Sequence, residues 1–163
     1  LGAYYDAAGG GDTLEIWGGS NIVPAVNDAM DCGETNHKWD DIYATNSTIQ
    51  TSDRNTKDNI TTSDLGLSFV NKLSPKSYKF KGKTRTHYGL IAQDVETVLG
   101  DISKPTSGFA GFIKTDSSEN KDGSSYNYGL RYGEFIGPLI KAVQELSAEV
   151  ETLKTKVAAL EAG

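Results

Sequence analysis

Thr51-Ser52-Asp53-Arg54-Asn55-Thr56-Lys57-Asp58-Asn59-Ile60 divides the chain into two kinds of sequence. Upstream, the chain is glycine-rich and reads as short strands; downstream, it reads as a compact α+β unit that runs into a coiled coil. Within the stretch Ser52 precedes Lys57 by five residues, and Ser52 and Asp53 share a peptide bond. A lysine activates a serine hydroxyl only as the neutral amine, a form that burial favours. The alternative reading is a polar loop in which Ser52 and Asp53 start a turn and Lys57 is solvated.

Downstream, Thr61-Thr62-Ser63 caps a helix expected to begin at Asp64, with Leu65, Phe69, Val70 and Leu73 on its apolar face and Pro75 as its stop. Ser77 to Phe80 and Thr84 to Gly89 predict a hairpin about Lys81-Gly82-Lys83. Leu90 to Leu99 predicts a helix with Gly100 as its C-cap. Phe109 to Lys114 and Tyr126 to Tyr132 predict a strand pair, joined by a polar loop from Thr115 to Ser125.

The C-terminus carries the clearest periodicity. Ile136, Val143, Val150 and Val157 fall at heptad position a, and Leu139, Leu146, Leu153 and Leu160 at d. Glu149 at g faces Lys154 at the following e of a parallel neighbour, and Lys156 and Glu161 repeat the pairing with signs reversed. The pattern therefore predicts a parallel, in-register coiled coil; the narrow, strict stripe makes the competing reading, one amphipathic helix lying on a globular core, the weaker one. β-branched a with Leu at d favours a dimer by rule. Pro138 is expected in the first turn of this helix, which should start near Gly137.

Upstream, Leu14 and Ile16 alternate with Thr13, Glu15 and Trp17, and glycine-rich turns bracket them. Trp39 and Tyr43 read as packing residues, and Thr48 to Thr51 as a short strand. This segment needs neighbouring chains to bury its apolar face. The chain begins at Leu1, as an excised piece of a longer protein would. The expected division is a β-rich segment at 1–52, an α+β core at 53–135 and a coiled-coil helix at 136–163.

Composition narrows the functional classes. The net charge is -6, from 22 acidic and 16 basic residues, and no dense Lys/Arg patch suggests nucleic acid. Cys32 is alone, which rules out a disulfide within the chain. No apolar run approaches the roughly 20 residues of a membrane span, and no residue cluster has metal or phosphate-loop spacing. No metal or other cofactor is expected.

Three runs resemble one family. The Thr51–Ile60 stretch resembles the S-D-x-R/x-x-K-x-N-I signature of the intramolecular chaperone, or peptidase S74, family, the self-cleaving C-terminal domains of phage tailspikes and tail fibres. Tyr88-Gly89-Leu90-Ile91-Ala92-Gln93-Asp94-Val95-Glu96 is close to that family's G-x-I-A-Q-x-V-E, and Tyr132-Gly133-Glu134-Phe135-Ile136 through Gln144-Glu145-Leu146 is a third resemblance. The resemblance implies a homotrimer that folds the preceding fibre segment of its own chain in the host bacterial cytoplasm and then cuts itself off. It implies that the bond cut is Ser52–Asp53, that Ser52 is the essential hydroxyl, and that Lys57 completes a dyad. It favours a trimer where the heptads by rule favour a dimer. The alternative function is a non-cleaving trimeric structural or receptor-binding tip.

The chemistry leaves several routes open. Ser52 attack on its own carbonyl would form a strained four-membered lactone. Ser52 of a neighbouring chain can attack instead, water can be activated by Ser52 and Lys57, or the Asp53 carboxylate can close a six-membered ring on the preceding carbonyl. An N-to-O shift by Ser52 would cut Thr51–Ser52. Supporting candidates are His87 as a proton carrier, Gln93 and Asp94 as orienting groups, and Arg54 as an interface partner. For His87 the competing reading is a packed or surface histidine; for Gln93 and Asp94 it is a helix-face pair that satisfies backbone groups.

Overall fold

The structure, a computed structural model, describes residues 31–33, 37–46, 48–116 and 125–162. The chain divides into two compact units, Leu1–Ser47 and Thr48–Gly163. The strands expected around Leu14 and Ile16 lie outside the described residues. The described residues of the first unit form no helix or strand. Gly33 has φ +85°, and a Cβ there would sit 3.0 Å from the His37 carbonyl oxygen and 3.3 Å from the Trp39 ring. A glycine lets the chain close this tightly. Trp39 and Tyr43 differ from the packing expectation: they are 55% and 95% exposed. An aromatic ring packs only where a partner surface reaches it.

In the second unit, Thr48–Thr51 takes no strand conformation among the described residues, because a strand needs a ladder partner. The first helix, α1, is Leu67–Val70, three residues later than the expected start at Asp64. Gly66 (φ -145°, ψ -141°) is not helical, and the Ser63 hydroxyl spends itself locally. It accepts from the Leu65 N–H at 3.2 Å and donates to the Leu65 carbonyl at 2.9 Å. The helix also ends well before Pro75. Strands β1 (Lys76–Tyr78) and β2 (His87–Gly89) form the expected antiparallel hairpin, pairing Tyr78 with His87 and Lys76 with Gly89. Gly82, at φ +76°, supplies the left-handed turn residue.

Helix α2 is Ala92–Asp101. Its C-cap is not Gly100, which lies inside the last turn. Ser103 at φ +54° takes the left-handed position instead. The Ser103 N–H bonds the Gly100 carbonyl at 2.9 Å and the Lys104 N–H bonds the Leu99 carbonyl at 2.9 Å, the two bonds of a Schellman ending. The helix therefore runs two residues further before it stops. Strands β3 (Phe112–Asp116) and β4 (Tyr126–Leu130) pair antiparallel from Phe112–Leu130 to Asp116–Tyr126. β3 thus takes in Thr115 and Asp116, the first residues of the expected loop.

The core lies where α1, α2, the β3–β4 pair and the start of the last helix meet. Leu65, Phe69, Val95, Val98, Leu99, Phe109, Phe112 and Phe135 form one buried cluster. The Phe109 ring meets Phe135 edge-on at 5.1 Å and Phe69 at 5.8 Å between centroids. Fully burying each large apolar side chain contributes roughly 1.5–3 kcal/mol.

Helix α3 is Ile136–Glu161, 26 residues. At about 1.5 Å per residue it is about 39 Å long. Pro138 sits in its first turn, as expected. Pro138 and Ala142 are its buried residues, facing α1 and the core. The heptad stripe faces elsewhere: the eight a and d residues from Ile136 to Leu160 are between 41% and 81% exposed. One side of α3 thus holds the unit together while the apolar stripe stays outside the chain's own core. No described helix is long and apolar enough to cross a membrane.

Candidate active site

The Ser52–Lys57 stretch folds into a single tight turn for reasons visible residue by residue. Asp53 is the N-cap of a 3-10 turn, Arg54–Thr56. Its Oδ1 accepts from the Asn55 backbone N–H at 2.9 Å and from the Asn55 side-chain amide at 3.1 Å. Its carbonyl oxygen accepts from the Thr56 hydroxyl at 2.9 Å and from the Thr56 N–H at 3.2 Å. The Lys57 N–H then bonds the Arg54 carbonyl at 3.2 Å. This turn reverses the chain, and Lys57 Nζ donates to Ser52 Oγ at 2.7 Å. Asn59 follows at φ +52°, a left-handed position that asparagine tolerates better than most residues. All of this stretch is exposed in the single chain.

A lysine held on a serine hydroxyl can take its proton once the amine is neutral, and can later return it to a leaving amine. The turn also gives the Asp53 carboxylate a structural task, since both bonds recorded for it go to Asn55.

The supporting candidates have other surroundings in the single chain. Arg54 is exposed on the turn itself. His87 stands in β2, stacked on Tyr78 at 5.9 Å and edge-on to Phe80 at 5.0 Å. Gln93 and Asp94 are exposed in the first turn of α2, where the Gln93 carbonyl accepts from the Thr97 hydroxyl at 3.1 Å. Among the described residues, no hydrogen bond joins His87, Gln93 or Asp94 to Ser52 or Lys57.

Other residues, given no role from sequence, tie the site to the rest of the unit. A Cβ on Gly133 would lie 3.5 Å from the Gln50 amide, so the residue two before Ser52 rests over the turn Tyr132–Phe135 that starts α3. The Tyr132 hydroxyl accepts from the Leu90 N–H at 2.9 Å. A Cβ on Gly89 would collide with that hydroxyl, so glycine there is a condition of the contact. The run around Gly89-Leu90 and the run starting at Tyr132 therefore meet in space, beside the approach to Ser52. The glycine in the first of these runs was the available signal.

The arrangement is that of a small α+β unit with a long C-terminal helix, entered through a serine–lysine turn. Residues 52–104 match the family model of Peptidase S74, described as chaperone of endosialidase; this span takes in Ser52–Ile60 and the Tyr88–Glu96 run, and the Tyr132–Leu146 run lies outside it. No curated protein matches the sequence. Among solved structures, the chain is similar to the carboxy-terminal domain of the bacteriophage T5 L-shaped tail fibre with its intramolecular chaperone domain. The TM-score is 0.59 at 17% identity, over 85% of this chain and 39% of that one. That likeness shows a shared fold, and the chain spans 39% of that tail-fibre chain's length. A structure described as a novel intramolecular chaperone aligns at TM-score 0.40 and 22% identity, over 64% of this chain and 99% of that one.

Proposed function

We propose that the chain is the intramolecular chaperone end of a phage tail fibre or tailspike, which trimerises and folds the preceding segment and then releases itself by autoproteolysis at Ser52–Asp53. The observation that carries the reading is the 2.7 Å bond from Lys57 Nζ to Ser52 Oγ, inside the segment that matches the peptidase family. Residues 1–52 are the end of the fibre, 53–135 the chaperone core and 136–163 the assembly helix. Assembly takes place in the host bacterial cytoplasm; the parent fibre stays in the virion tail and the fragment starting at Asp53 leaves.

Lys57 as the amine takes the Ser52 hydroxyl proton, and Ser52 Oγ attacks the Ser52 carbonyl carbon of a neighbouring chain. The Asp53 nitrogen of that chain leaves with a proton returned by Lys57, and water hydrolyses the ester that remains. This route avoids the strained lactone and leaves Asp53 in its capping role. The chemistry calls for a shielded lysine, whereas Ser52 and Lys57 are exposed in one chain. Neighbouring chains would supply the shielding, so cleavage waits for assembly, and proximity supplies much of the acceleration. Removing the helper then makes unfolding of the fibre kinetically slow.

Intact-mass spectrometry of the denatured protein tests this. A fragment starting at Asp53 supports the assignment, and one starting at Ser52 replaces it with an N-to-O shift. A single 163-residue chain that persists for days at neutral pH replaces it with a non-cleaving trimeric structural or receptor-binding tip.

A further inference from the structure

A cavity of about 290 Å³ opens beside the first turn of α3. Val70, Leu73, Leu90, Tyr132, Phe135 and Leu139 line it, so it is apolar on nearly all sides. Leu139 is a heptad d residue, and Phe135, the N-cap just before α3, falls at g when the heptad count is carried back one residue. The cavity therefore lies along the g flank of the apolar stripe. The same flank carries Ala142, buried against the unit. Ile140 lies on the opposite flank, at heptad e, and is 55% exposed.

In a parallel coiled coil each g residue faces the e residue of the next heptad in the neighbouring helix. Glu149 thus meets Lys154 of a neighbour and Lys156 meets Glu161, both with opposite charge. Lys154 also pairs with Glu151 of its own chain at 2.8 Å, but both are more than two-thirds exposed, and such surface pairs are weak enough to share. The same five-residue offset applied to Phe135 lands on Ile140. The register that satisfies the charges therefore brings the neighbour's Ile140 to the mouth of the apolar cavity.

We propose that the cavity is the docking site for Ile140 of a second copy of this chain, a plug-and-socket contact between one chain's α3 and the next chain's α/β body. It rests on the parallel association proposed above. Every copy offers one socket and one plug on opposite flanks of the helix, so each copy in a closed parallel assembly can both give and receive the contact. It also adds body-to-helix contacts to the helix seam, near the turn over which Gln50 rests.

The test uses the full chain with Cys32→Ser, carrying Leu73→Cys and Ile140→Cys together. Mild oxidation is expected to link different chains, seen as multimers on a denaturing gel and mapped to positions 73 and 140 by peptide mass. Sedimentation of the same sample reports association separately. An assembled but unlinked protein overturns the docking and leaves the association standing; a monomer overturns both. As a second measure, Ile140→Gln is expected to weaken association by roughly tenfold or more through lost apolar burial. Ser147→Gln, one heptad further along the same flank, is expected to leave association unchanged. Equal effects from the two substitutions would overturn the proposal.

Discussion

Glu145, in the third turn of α3, accepts a hydrogen bond at 2.7 Å from the backbone N–H of Leu67, 78 residues earlier. Leu67 is the first residue of α1, whose own N-cap, Gly66, offers no side-chain acceptor. A Cβ on Gly66 would collide with the Glu145 carboxylate, so the glycine makes room for the cap. The long helix thus completes the short one.

The cap predicts an acid dependence. The Leu67 N–H, and then Lys141, hold the Glu145 carboxyl below its ordinary value of 4.5. A depressed folded value means that the stabilisation is fully present above the ordinary value and is lost as pH falls through the folded one. Melting followed by circular dichroism should show Glu145→Gln lowering Tm at neutral pH and flattening the fall of Tm at acid pH. A variant with the parent's acid profile would remove Glu145 from this role. Gly66→Ala should lower Tm as well, since the added methyl displaces the carboxylate.

Gly89→Ala should cost about 1–3 kcal/mol, because the methyl pushes the Tyr132 hydroxyl off Leu90. Tyr132→Phe removes the bond without the clash and should cost about 1 kcal/mol. Urea denaturation measures both; a harmless Gly89→Ala would contradict the close approach.

Leu99 is 0% exposed at the centre of the core. Leu99→Ala should cost about 2–5 kcal/mol through the lost transfer energy and the cavity left behind. A loss under 1 kcal/mol in urea would mean that the site collapses around the gap.

Ser52→Ala and Lys57→Met should each abolish the Asp53 fragment in intact-mass spectra while sedimentation stays that of the assembled protein. Cleavage surviving in Lys57→Met would assign proton transfer to another group.

Leu153→Asp should abolish association at micromolar concentration, yet leave the near-ultraviolet spectrum of the core aromatics in place. Leu153 is 58% exposed and lies outside the buried cluster, so a substitution that unfolded the whole unit would show that the unit depends on its neighbours.

The periodic features were legible in the sequence alone, because a repeating apolar spacing reports the face of an element without reference to its surroundings. The heptads marked α3, the Lys81-Gly82-Lys83 turn marked the hairpin, and the strand pair was expected on either side of the polar Thr115–Ser125 loop. The Ser52–Lys57 pair was indicated by the family resemblance of the Thr51–Ile60 stretch, while the residues alone read equally as a polar loop with Lys57 solvated; the 2.7 Å contact is a finding of the structure. Only the tertiary structure decided the helix ends and the neighbourhood of the site. α1 starts at Leu67 because Glu145, far along the chain, supplies the cap that Ser63 was expected to give, and α2 passes Gly100 because Ser103 accepts the left-handed position. His87 lies against Tyr78 and Phe80 instead of Lys57, and Gln50 rests on Gly133. Spacing along the chain cannot reveal these contacts, since each depends on which surfaces the packed core turns toward one another.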